Sequence, residues 1–141
     1  MNLGTVNEAS QLYIHSTSGD IKIKKLLADV AKIETTKGDV NIKSFGNDLD
    51  VKTSSGDIKV TFDSTEISNQ IDLVSKSGEI TLNLNPELAC ILKLFNAKGQ
   101  NKTKGVNVEG FDKIETNSLV INSGTKVIRL TSNEHIEVNL I

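Results

Sequence analysis

One phrase is written four times in this chain. It reads "IHSTSGDIKI" from Ile14, "IETTKGDVNI" from Ile33, "VKTSSGDIKV" from Val51 and "LVSKSGEITL" from Leu73. Aligned on Gly19, Gly38, Gly56 and Gly78, the copies are spaced by 19, 18 and 22 residues. An acid follows each glycine: Asp20, Asp39, Asp57 and Glu79. Apolar residues stand two and four places after each glycine, and seven and five places before it. A hydroxyl residue stands three places before it: Ser16, Thr35, Thr53 and Ser75. All sixteen apolar slots are filled, Ala31 being the smallest occupant.

Alternation with a period of two is a strand signal, so each unit predicts strand, Gly-acid turn, strand. Glycine suits a turn that needs positive φ, and a short acid can accept from nearby backbone amides. A lone unit offers one apolar face and cannot bury it, whereas stacked units can. Two plans fit: a run of hairpins forming a sandwich or meander, or a β-solenoid with like residues stacked ~4.8 Å apart. The solenoid is favoured. Tight hairpins carry Asn-Gly or Asp-Gly, the reverse of the order here. Residues at one offset also match column by column, as stacking demands. The expected fold is therefore all-β, a single-domain β-solenoid over residues 1–141 built of strand-turn-strand coils of about 18–22 residues. The repeats are clearest over 12–82 and irregular over 83–141.

The irregular part still carries pieces of the pattern. "ACILKLFNAKGQ" supplies Leu92 and Leu94 and then Gly99, "SLVINSGTKVIRL" offers a Ser123-Gly124 turn, and "HIEVNLI" alternates cleanly. Six or seven coils result. Thr61 to Gln70 and Leu84 to Leu88, with the only proline, read as loops bulging from coil corners. "KKLLADVAKI" has an amphipathic-helix look, but the repeat register assigns it to strand and turn.

Composition narrows the functions. Aromatics are 4% with no Trp, and the net charge is -2, so stacking platforms and a basic face for nucleic acid are both missing. The opening "MNLGTVNEAS" lacks the basic and apolar regions of a signal peptide, and no apolar run reaches the ~20 residues of a membrane span. Cys90, alone in the chain, lies in the apolar run "LACILKLF" and reads as a small buried hydrophobe, which leaves no intrachain disulfide.

The acid column is the sharpest candidate site. Stacked in register, Asp20, Asp39, Asp57 and Glu79 form a ladder of like charge. Turn capping, helped by Lys22, Lys37 and Lys59, relieves the repulsion; a bridging Ca²⁺ is the alternative. Calcium-binding β-helices use a denser Gly-Asp pattern, so capping is preferred, with no metal or other cofactor. Paired carboxylates also serve glycoside hydrolysis, but no aromatics stand ready to stack sugars. The hydroxyl column shares the parity of the inward residues and predicts a ladder bonded to backbone. His15 adjoins Ser16, yet neighbours on a strand face opposite ways, which argues against a catalytic dyad. His15 and His135 are separated in sequence and read as surface residues. "NAKGQNKTKG" (96–105) lacks phosphate-loop spacing and reads as a solvated loop, with a chance glycosylation sequon at Asn101.

"SSGDIKV" (Ser54 to Val60) and its companions resemble a bacterial family of adhesin-like domains, the toastrack family. The resemblance covers about Leu12 to Leu82 well and the rest loosely. It implies a stacked-strand solenoid at or outside the cell envelope, often attached to membrane segments and linked to envelope-stress systems, without enzymatic activity. The expected function is a non-enzymatic adhesin-like or scaffold domain. Its partners would be proteins, or other copies meeting it through faces or solenoid ends, with no nucleic acid and no membrane insertion by this chain. The alternatives are a self-assembling solenoid of the bactofilin type, joined through an open end at "HIEVNLI", and last a carbohydrate-active enzyme.

Overall fold

The structure, a computed structural model, describes residues 2–6, 11–27, 29–44, 48–63, 70–85, 87–96, 101–104, 117–121 and 126–140. Residues 123 and 124, and with them the expected Ser-Gly turn, lie outside that set, as does Gly99.

Each phrase folds as its pattern dictates. The strand before each glycine and the strand after it are separate elements: β2 (Gln11–Ser18) and β3 (Ile21–Leu26), β4 (Val30–Lys37) and β5 (Val40–Ser44), β6 (Asp48–Ser55) and β7 (Ile58–Phe62), β8 (Gln70–Ser77) and β9 (Ile80–Leu84). The two strands of a phrase do not pair with each other. They belong to two parallel sheets, so that β2, β4, β6 and β8 build one wall and β3, β5, β7 and β9 the other. This is the stacked-coil plan rather than the hairpin plan. "KKLLADVAKI" crosses from β3 to β4, as the register requires. The 61–70 stretch is not all loop, because Thr61 and Phe62 finish β7 and Gln70 starts β8.

Register is strict. Ile14, Ile33, Val51 and Leu73 stand side by side on one wall, and Ile21, Val40, Ile58 and Ile80 on the other. All point inward and are buried, joining one apolar cluster with Phe62, Leu82 and Leu94. Burying each such side chain contributes about 1.5–3 kcal/mol. Since each phrase brings four of them, stacking is what makes the units stable.

The C-terminal part departs from the expected order in three ways. First, β10 (Cys90–Asn96) does not pair with β8. Between them lies β13 (Val127–Ser132), and between β9 and β11 (Asn101–Lys104) lies β14 (Ile136–Leu140). The last coil in sequence is thus the fifth in space. Second, "HIEVNLI" is an interior strand, paired with β9 on one side and β11 on the other, so it is not the open end that the self-assembly reading assumed. Third, "NKTK", expected in a loop, is the strand β11. It has no apolar residue to reveal it, and its pairing with β14 supplies the ladder instead. Among the described residues, six two-strand coils result. Beyond them, β1 (Asn2–Val6) extends the second sheet past β3, and β12 (Asn117–Ile121) caps the first sheet past β10. β12 is antiparallel to β10, whereas the other pairings are parallel.

Candidate functional site

The coil corner is built from glycine, acid and hydroxyl together. Gly19, Gly38 and Gly56 have φ of +104°, +138° and +139°, a region that disfavours any Cβ. Stacking adds a second reason at Gly38, Gly56 and Gly78, where a Cβ would run into the carbonyl of the glycine in the coil before. The acid then reaches forward by one coil. The Asp39 amide donates to Asp20 Oδ1 at 2.9 Å, the Asp57 amide to Asp39 Oδ1 at 2.8 Å, and the Glu79 amide to Asp57 Oδ1 at 2.9 Å. Each acid was expected to cap its own turn. Instead Asp20, Asp39 and Asp57 each cap the next one, where in-register stacking sets the following coil's amide against Oδ1. The like charges are thereby interleaved with amide donors.

The hydroxyl column is buried and bonded to backbone. Thr35 and Thr53 donate to the carbonyls of Lys37 and Ser55, at 3.3 and 3.2 Å, while Ser75 donates to the Gly56 carbonyl at 2.9 Å. A further member, Ser132, stands next to Ser75 on β13. Its Oγ donates to the Gly78 carbonyl at 2.6 Å and accepts from the Glu134 amide at 2.9 Å. These hydroxyls are spent on holding corners. Ser16 likewise donates to the Ser18 carbonyl, while His15 faces outward with Nδ1 3.9 Å from Glu34 Oε2. The two are not a dyad. His135 sits at the β13–β14 corner, its carbonyl accepting from Ile80, four strands from β2 and far from His15. Burial pushes the Cys90 thiol up to about 12, so it is neutral and shielded.

The outer face of the β2-containing sheet carries a second ladder. Register sets Tyr13, Lys32, Asp50, Asp72, Arg129 and Lys93 side by side on six successive strands. At its centre two acids are neighbours. Asp50 Oδ1 and Asp72 Oδ1 are both shut off from solvent without a hydrogen-bond partner. Burial, with the Asp50 carboxylate adding to it, holds the Asp72 carboxyl above its ordinary range, against the pull of Arg129 and Lys52. Lys52 Nζ lies 3.9 Å from Asp50 Oδ2. A shallow groove of about 230 Å³ beside the pair is lined by Val30, Lys32, Asp48 and Leu49. The pair falls outside the repeated phrase, but one signal was available: Tyr13, Lys32, Asp50 and Asp72 all stand six places before a phrase glycine.

Among the described residues, no group of three or more His, Cys, Asp or Glu side chains is placed to hold a metal ion. No helix there is long and apolar enough to cross a membrane. A family model described as Toastrack DUF4097 matches residues 3–138. No curated protein and no solved structure matches the chain.

Proposed function

The chain belongs to the toastrack family, and from that premise we propose that it is a non-enzymatic interaction scaffold of the bacterial cell envelope, adhesin-like in its use of one extended face. The observation that carries this reading is the outer ladder Tyr13, Lys32, Asp50, Asp72, Arg129 and Lys93. Segments far apart in sequence contribute one fixed row of charge, about 24 Å across six strands at ~4.8 Å per strand. Its signs run positive, negative, negative, positive, positive. Such a row favours a protein surface of matching charge order and rejects others by like-charge contact. The inward side chains are committed to core and corners, so they support the row's rigidity rather than chemistry.

The test is capture of protein partners from an envelope extract by the full chain, compared with the double variant Lys32→Glu/Lys93→Glu. A partner whose capture falls at least about tenfold with the variant, and falls further with salt, supports the reading. A partner set unchanged by reversal along the whole row contradicts it.

A further inference from the structure

We propose that Asp50 and Asp72 share one proton between their Oδ1 atoms, and that releasing it as pH rises switches the charge order of the outer ladder. The proton needs only this pair; its meaning for recognition rests on the charged-row reading above. β6 and β8 are parallel neighbours, and register makes Asp50 and Asp72 direct partners. At ~4.8 Å between strands the two carboxyl groups stand side by side on the outer face. Like charges so placed destabilise a sheet. The corners meet the same problem with donors, since Oδ1 of Asp20, Asp39 and Asp57 each accepts from an amide of the next coil. Inside a strand the amides already bond the neighbouring strand. Asp50 Oδ1 and Asp72 Oδ1 are shut off from solvent, and neither has a hydrogen-bond partner among the described residues. Two ionised carboxylates would leave both oxygens desolvated without a donor. One proton answers both demands: an O–H on one Oδ1 donates to the other, and one of the two charges is gone.

The charged groups around the pair leave that role open. On β4, Lys32 is the register partner of Asp50, and its Nζ lies 3.6 Å from Glu34 Oε1. On β6, Lys52 Nζ lies 3.9 Å from Asp50 Oδ2, the other oxygen of that carboxyl. Asp48, two places before Asp50, adds a further acid to the groove. On β8 the residues two places to either side of Asp72, Gln70 and Val74, carry no charge. On β13, Arg129 is the register partner of Asp72 and is exposed. Beneath lie Leu49, Val51, Ile71 and Leu73, all buried and apolar. Lys32, Lys52 and Arg129 therefore offset the charge that remains, while none of them bonds either Oδ1. Burial, with Asp50 adding to it, holds the Asp72 carboxyl above its ordinary range despite Arg129 and Lys52, the direction a retained proton requires. With the proton in place the row carries one negative charge between Lys32 and Arg129. Once it has left, two stand there, and a partner presenting two cations to them binds more tightly.

NMR of the side-chain carboxyl carbons of the full chain, followed through a pH titration, reads the proton and needs no partner. Asp50 and Asp72 should follow one common pair of steps, the upper one above the ordinary carboxylate range. Asp50→Asn should leave Asp72 with a single step at lower pH than that upper one, and Asp72→Asn should do the same for Asp50. Both substitutions are isosteric on the outer face, and circular dichroism should be unchanged. A single ordinary step for each aspartate in the unmodified chain overturns the shared proton. So does an Asp72 titration that Asp50→Asn leaves unchanged, since burial alone would then raise it. Because no partner is present, failed capture by the charged row leaves a common titration standing, and independent steps here leave the row standing.

Discussion

The coils from β2 to β9 and the coils from β10 to β14 share one core and one register, yet they reach it by different means. In the first region chain order is spatial order, and the corner inside each phrase has a glycine, an acid and a hydroxyl. In the second, β13–β14 slides between coils that precede it in sequence. Its corner has no glycine, with one residue fewer between Ser132 and Ile136 than between Ser75 and Ile80. The hydroxyl keeps its column there, bonding both the Gly78 carbonyl and the Glu134 amide. What the β13–β14 coil keeps from the four phrases is the inward apolar column and a hydroxyl to tie the corner; the β10–β11 coil carries Asn96 in the hydroxyl's place. Glycine answers two separate demands, a positive φ at Gly19, Gly38 and Gly56 and a glycine carbonyl of the preceding coil at Gly38, Gly56 and Gly78.

That contrast can be broken first at the glycines. Gly56→Ala meets both a φ of +139° and the Gly38 carbonyl, and should cost about 3 kcal/mol or more in a denaturant titration. Gly19→Ala has the positive φ but nothing within 4 Å of the new methyl, and should cost about 1 kcal/mol. Equal losses would show that stacking adds nothing to the conformational requirement. Next comes Ser132→Ala, which strands the Gly78 carbonyl and the Glu134 amide and should cost about 1–3 kcal/mol. A neutral result would remove the hydroxyl from the account of the glycine-free corner. Smaller still, Asp39→Ala should cost about 1 kcal/mol by freeing the Asp57 amide, whereas Asp39→Asn, which keeps the acceptor, should cost a few tenths at most.

The smallest effect is expected at Asp72, where the two regions touch through Arg129. Its carboxyl is raised, chiefly by burial and then by Asp50. A folded-state value above the unfolded one means the folded chain holds the proton more tightly. The contribution to stability is therefore fully present below the unfolded value and lost as pH rises through the folded one. Asp72→Asn should raise the melting temperature slightly at neutral pH, and the gain should vanish as the solution is acidified below the ordinary carboxylate range. A gain constant across that window would contradict the assignment.

The columns were legible because stacking repeats side-chain types. Ile33 above Ile14 and Asp39 above Asp20 announce a coil through their spacing alone. The spatial order of the coils was not legible. "VIRLTS" and "IEVNL" carry the alternation that would dock on any coil of the stack, so their pattern specifies a face and not a neighbour. The apolar–x–hydroxyl step Leu130–Ser132, followed by Ile136 and Val138, was the available sign of a further corner, hidden by the lost glycine. β11 was illegible for a different reason, since "NKTK" has no apolar position and depends on β14 for its ladder. Of the candidate sites, the acid column was found but its direction was not, because reaching the next coil's amide is a property of stacking rather than of a turn. The Asp50–Asp72 pair needed register to become a pair at all.

The insertion of β13 between β8 and β10 is the central claim, and paired cysteines on the outer face test it most directly. Adjacent strands place Cα atoms ~4.8 Å apart, within disulfide reach, whereas strands two apart lie beyond the ~7 Å limit. Asp72 and Arg129 are direct neighbours here, and Lys93 is one strand further on. Asp72→Cys/Arg129→Cys should therefore close an intrachain disulfide on mild oxidation, with the buried Cys90 not participating, and Asp72→Cys/Lys93→Cys should stay reduced. The reverse result would put β10 directly on β8, restore the order of the sequence, and contradict the inserted coil.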